Sequence, residues 1–144
     1  MNMKRLLLVL FLMTAVLLTI TACGGNTNTV ADTVDPNAPL DLAPTVNVAT
    51  VAEVKDRDDV FVIDVREQWE YDEKHIPGVT LIPLGTVPDS LNQIPQDKTV
   101  IVTCRSGNRS GQAVDFLRTQ GFTNVHNMEG GIVAWESAGY PVEP

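Results

Sequence analysis

The stretch TVIVTCRSGNRSGQAVDFL, Thr99 to Leu117, gathers the residue types that nucleophilic sulfur chemistry needs. A run of Val, Ile and Thr delivers Cys104. A loop of Arg105, Ser106, Gly107, Asn108 and Arg109 then leads into an apolar-periodic segment. A loop between a strand and a helix can turn several backbone N–H groups toward one point, and the helix start adds partial positive charge. A sulfur held there ionises more readily than a free thiol, so the pattern predicts a Cys104 thiolate. Gly107 allows a turn or a close approach that a side chain would block. Ser106 and Ser110 offer hydroxyl donors, with Ser110 alternatively the cap of the helix. Arg105, next to the sulfur, is expected to project to the mouth and meet an anion. Arg109, where loop becomes helix, is expected to brace the loop through carbonyls or an acid such as Asp64. A purely structural cysteine would have little use for two arginines on its loop.

The rest of the chain sets the context. It has 144 residues and a formal charge of −8, enough for one domain of ordinary size. Met1 to Arg5 is basic, Leu6 to Leu18 almost wholly apolar, and TITAC ends at Cys23. That is the layout of a secretory leader, and the apolar run is short for a permanent transmembrane helix. A cysteine directly after Ile20-Thr21-Ala22 resembles a bacterial lipobox. Residues 1–22 are therefore expected to be a signal peptide and Cys23 the lipidated N-terminus, the alternative being an ordinary leader cut near Ala22. Lys4 and Arg5 leave with the leader, which makes the remainder more acidic still. That balance argues against nucleic acid as a partner, and against charge as the means of holding a membrane. The expected location is extracytoplasmic, tethered by lipid. Of the chain's two cysteines, Cys104 then has no intrachain disulfide partner. Residues 23–45 are small, polar and proline-containing, and read as a flexible leash. Residues 46–144 read as the folded domain.

Within that domain strand and helix signals alternate. VNVATV suggests a strand running into a helix over Val51 to Asp56. VFVIDV, Val60 to Val65, is a continuous apolar strand, and REQWEYDEKH a charged amphipathic helix. GVTLIPL, TVIVT and VHNM read as further strands, and TVPDSLNQI as a short helix. Ser110 to Gln120 reads as a helix stopped at Gly121, where glycine suits the left-handed cap. GGIVAWESAG is the last helix. Apolar runs without alternation predict strands covered on both faces, hence an α/β fold: a small, mainly parallel five-stranded sheet with helices on each side. Ligands of such sheets sit beyond the carboxyl ends of the strands, which is where Cys104 falls. Trp69 and Trp135 read as core, and His126 as packing or surface.

Three segments in this order resemble a rhodanese-like domain: VIDVREQWEYDEKHIPGVTLIPL (Val62 to Leu84), CRSGNR (Cys104 to Arg109) and NMEGGIVAWESAGYPV (Asn127 to Val142). The likeness runs over roughly residues 46–144. It implies a single-domain sulfurtransferase of the thiosulfate type, whose loop cysteine takes up a sulfane sulfur as a persulfide and passes it to a nucleophile. On that resemblance Cys104 is the nucleophile and Arg105 to Arg109 form the cradle. Asp64 and Arg66 match an element that organises the neighbouring loop, and His75 fits a turn motif. The implied partners are a small anionic sulfur donor and a thiol, cyanide or protein acceptor, with no cofactor, no metal and a monomeric state. The chemistry agrees with the residues. A persulfide carries negative charge on its outer sulfur, which inward-facing amides stabilise without a proton shuttle. A thiol already ionised needs no general base, and the chain has only two histidines.

Other readings compete. Phosphatase relatives of the fold carry a longer loop with an arginine six positions after the cysteine, where this chain has Ser110. A Cys-His hydrolase would need a histidine in catalytic context. A rhodanese module can also bind, sense or carry sulfur without turnover, although such binding modules usually lack the cysteine.

Overall fold

The structure, a computed structural model, describes residues 40–144. The leader 1–22, Cys23 and the leash through residue 39 lie outside the described residues. Five strands form one sheet: β1 (Thr45–Val46), β2 (Val60–Asp64), β3 (Thr80–Leu81), β4 (Thr99–Thr103) and β5 (Val125–Met128), in the order β1-β5-β4-β2-β3. Every pairing in it is parallel. Helices α1 (Val48–Val54), α2 (Gln68–Glu73), α3 (Asn108–Thr119) and α4 (Gly131–Ser137) supply the crossovers and the close, with two 3₁₀ turns at Leu84–Asp89 and Leu91–Gln93. The α/β reading holds.

Alternation along the two central strands decides which side each residue serves. Val100, Val102 and Cys104 face one cluster, with Ile63, Val65 and the inner residues of α3, Ala113, Val114 and Leu117. Val60, Val62 and Ile101 face the other, with Val51 of α1 and with Ile132 and Trp135 of α4. Because side chains repeat every second residue, a one-residue slip of β4 would move Cys104 to the wrong face. The register Val60 to Val100's neighbour Thr99, continued to Asp64 beside Thr103, fixes it.

Four expectations need correction. The folded part begins before Val46: Leu40 and Leu42 pack on the second cluster, and the Pro44 carbonyl accepts the Asn127 N–H at 3.0 Å. A proline cannot donate to a ladder but its carbonyl still accepts. The first helix starts at Val48, earlier than Val51, because the Asn47 side chain caps it by accepting from Thr50 N–H at 2.9 Å. Helix α3 starts at Asn108, so Ser110 is not its cap; Gly107, at φ +97°, holds that place. Trp135 is core at 1 % exposure, whereas Trp69 is 68 % exposed. Helix α2 is a short helix whose buried position is Glu70, and the adjacent residue points about 100° away.

Candidate active site

Cys104 follows β4 directly, and its sulfur sits under a hood of donors. The Gly107 N–H points at Sγ from 3.1 Å and the Ser110 hydroxyl from 3.3 Å. Burial pushes the thiol up, but the Ser110 hydroxyl and the amides of Ser110, Ser106 and Gly107 outweigh it. Cys104 is left below the ordinary thiol value of 9.0. Ser106 and Asn108 are exposed, so Ser106 serves the sulfur through its backbone.

The hood is held open from below by α4. Its first amides donate to the loop: Ile132 N–H to the Cys104 carbonyl at 2.9 Å and Val133 N–H to the Arg105 carbonyl at 3.1 Å. In a trans peptide the carbonyl and the following N–H point opposite ways. Drawing the Arg105 carbonyl down onto α4 therefore turns the Ser106 N–H up toward the sulfur. This is the physical content of the Gly130-Gly131 pair, whose φ values are +75° and +57°. A Cβ on Gly131 would lie 2.4 Å from the Cys104 carbonyl oxygen and 2.5 Å from the Arg105 carbonyl carbon. On the far side of the loop, the Asn127 amide donates to the Gly107 carbonyl at 3.3 Å, while its own Oδ1 is buried without a partner.

The two arginines of the loop have separate lives. Arg105 is exposed. Arg109 makes a two-pronged ion pair with Glu70, at 2.5 and 2.8 Å. The brace expected for Arg109 exists, but its partner is Glu70 rather than Asp64 or a loop carbonyl. Asp64 is already taken: Arg66, 3 % exposed, donates to both of its oxygens at 2.6–3.1 Å. The same guanidinium donates to the Glu70 carbonyl at 3.2 Å and the Lys74 carbonyl at 2.8 Å, satisfying the end of α2. A chain of contacts thus runs from Asp64 through Arg66 to α2, and from Glu70 of α2 to Arg109 at the root of the loop. Sequence reasoning missed Glu70 because it is one acid among several in REQWEYDEKH, and only the packing of α2 turns it inward. It missed Asn127 because nothing in VHNM distinguishes a residue under a loop formed twenty positions earlier. His75 is stacked on Tyr71, with ring centroids 3.8 Å apart, and its backbone pairs with Glu143. His126 binds the Ala43 carbonyl through Nδ1 at 2.8 Å.

The Glu70–Arg109 pair makes a measurable claim about acid. The Arg109 guanidinium pulls the Glu70 carboxyl from 4.5 down to about 2, against the opposing pull of burial. A depressed carboxylate contributes stability that is whole above its unfolded value and is lost as pH falls through the folded one. Between pH 4.5 and 2, the stability advantage of the native chain over Glu70→Gln should therefore shrink. Urea midpoints across that range test it, and an advantage that stays flat refutes the pairing.

Beside the loop lies a cleft of about 430 Å³ whose walls include Arg105, Trp69, Ile132 and Val133. Cys104 itself is 1 % exposed, and its neighbour Arg105 is the loop residue that reaches the cleft. Among the described residues no group of three or more His, Cys, Asp or Glu side chains is arranged to hold a metal ion.

The profile of the rhodanese-like domain family matches residues 47–138. The chain belongs to that family. It is 39 % identical over 87 residues to a sulfurtransferase of Allochromatium vinosum, a match covering 60 % of this chain and 81 % of that one. It is 32 % identical over 93 residues to the thiosulfate sulfurtransferase GlpE of Pseudoalteromonas translucida, covering 65 % and 89 %. A rhodanese-related protein of Thermoplasma volcanium has a crystal structure that superposes with a TM-score of 0.64 at 35 % identity, covering 70 % of this chain and 98 % of that one. Rhodanese-like membership and sulfurtransferase relatives thus agree with the sulfur-centred loop. All three matched segments named above fall wholly or mostly inside residues 47–138.

Proposed function

We propose that this chain is a sulfurtransferase that carries sulfane sulfur on Cys104, loaded from a small anionic donor of the thiosulfate kind. The observation that carries the reading is the set of donors turned onto one buried sulfur, with no basic side chain among its hydrogen-bond partners in the described residues. In the loading step the Cys104 thiolate attacks the outer sulfur of thiosulfate. A Cys104–S bond forms, the S–S bond of the donor breaks, and sulfite leaves with the electron pair. The outer sulfur of the persulfide then carries the negative charge that the loop amides stabilise. In the second step a nucleophile attacks that outer sulfur and the Cys104 thiolate departs. Arg105 at the mouth serves to attract the anionic donor, while Arg109, engaged with Glu70, braces the loop. The engagement of Arg109 also speaks against a phosphatase, which needs a free guanidinium to embrace a phosphate.

Incubating the full-length chain with thiosulfate and then digesting it tests the reading. The Cys104 peptide should gain one sulfur, about 32 Da. Thiocyanate formed from thiosulfate and cyanide over many turnovers distinguishes an enzyme from a carrier that loads but discharges only to a dedicated acceptor. No added sulfur on Cys104 sinks both.

We further propose that the domain works outside the cytoplasm on a lipid tether at Cys23, supported by the basic, apolar and small-residue pattern that precedes it. Cys23→Ser should remove acyl mass and shift the chain from the detergent phase to the aqueous phase, or leave the leader uncleaved. Unchanged partitioning with no loss of mass would overturn it.

A further inference from the structure

The acceptor is where the cleft beside Arg105 adds something, and the inference rests on the sulfur-transfer reading above. Most charges on its walls are already matched. Arg66 is bound to Asp64, Glu70 to Arg109, and Lys74 to Glu136 at 2.7 Å. Two are not. Arg105 and Glu73 both line the cleft, both are exposed, and neither side chain has a hydrogen bond or ion pair among the described residues. The same cleft is lined by the exposed apolar groups Trp69, at 68 %, and Val133, at 46 %. Large apolar groups left open at a concave surface usually mark what binds there.

One free cation, one free anion and an apolar surface in a space of about 430 Å³ match a small molecule with the reverse arrangement. We propose that the acceptor is a zwitterionic aminothiol of amino-acid type, its carboxylate set on Arg105, its ammonium on Glu73 and its methylene against Trp69. A net-neutral head group also avoids the repulsion that a chain of formal charge −8 exerts on purely anionic thiols. The transfer balances without a further reagent. The acceptor thiolate attacks the outer sulfur of the Cys104 persulfide, a new S–S bond forms on the acceptor, and the old S–S bond breaks with its electron pair returning to Cys104 Sγ. The product is the persulfide of the aminothiol.

Single-turnover discharge decides the matter. The full-length chain is loaded with thiosulfate, freed of donor, and mixed with cysteine, cysteamine or 3-mercaptopropionate at equal thiolate concentration. Cysteamine lacks the carboxylate and 3-mercaptopropionate lacks the ammonium. Cysteine should discharge the chain fastest. Glu73→Gln should cut its advantage over 3-mercaptopropionate by about fivefold, the upper range for an exposed ion pair. Arg105→Gln should cut its advantage over cysteamine by a similar factor, and both effects should fade in high salt. Glu53→Gln, the same charge change on exposed α1, should leave the ratios as they are. Equal discharge by the three thiols, or ratios that ignore Glu73→Gln, overturns the inference while leaving sulfur transfer intact. A chain that loads no sulfur overturns the transfer reading itself.

Discussion

Cys104→Ser should yield a folded chain that takes up no sulfur and forms no thiocyanate. The replacement keeps the size of the side chain, and an oxygen at that place still accepts from Gly107 N–H and Ser110 Oγ. It loses the chemistry: a hydroxyl does not ionise under these donors and has no base to deprotonate it. Thermal unfolding by circular dichroism should follow the native curve closely, while turnover falls to background. Turnover retained in a folded Cys104→Ser chain would end the persulfide mechanism. The same donors set the pH at which the native thiol reacts. The rate of Cys104 alkylation by iodoacetamide should reach half its plateau below the ordinary thiol value of 9.0. Ser110→Ala should move that midpoint upward, because its hydroxyl is the strongest of the lowering influences.

Gly131→Ala should have the next largest effect, at a residue that touches no substrate. Its Cβ would sit 2.4–2.6 Å from backbone atoms of Cys104 and Arg105, and no flexible side chain is there to yield. The residue also lies at φ +57°, which a side chain enters at a cost of about 1–2 kcal/mol. Overpacking against backbone adds about 1–3 kcal/mol. The loop must lift off α4, breaking the bonds from Ile132 and Val133 that turn its amides toward the sulfur. A displacement of about 1 Å in such a site costs on the order of 100-fold in rate. The expected result is a destabilised chain whose folded fraction transfers sulfur at least that much more slowly, with the Cys104 alkylation midpoint moved up. Ala134→Gly on the same helix, which relieves no such contact with the loop, serves as the comparison for helix weakening alone. Full activity per folded molecule in Gly131→Ala would show that α4 does not shape the loop.

The sequence by itself carried the fold and the place of Cys104 in it. Apolar runs such as VFVI and VIV have no polar face to give to water, so they had to become strands covered on both sides. A cysteine at the end of one of them had to emerge at the carboxyl edge of the sheet, beside a helix start. These are local facts, set by period and position. The Gly121 stop of α3 was legible for the same reason and appears at φ +92°.

What the tertiary structure decided is who faces whom. REQWEYDEKH contains several acids and one tryptophan, and a short helix can bury only one side. Packing on Arg66 turned Glu70 inward and left Trp69 and Glu73 at the cleft. Arg109 was legible as a brace but not as the partner of a residue 39 positions earlier. The Gly130-Gly131 pair was visible as part of a motif. Its reason, a collision with carbonyls of a loop 26 positions upstream, exists only once α4 is docked beneath that loop. Spacing along a chain encodes the period of a strand or helix, whereas the pairing of distant charges depends on the rotation and docking of elements already formed.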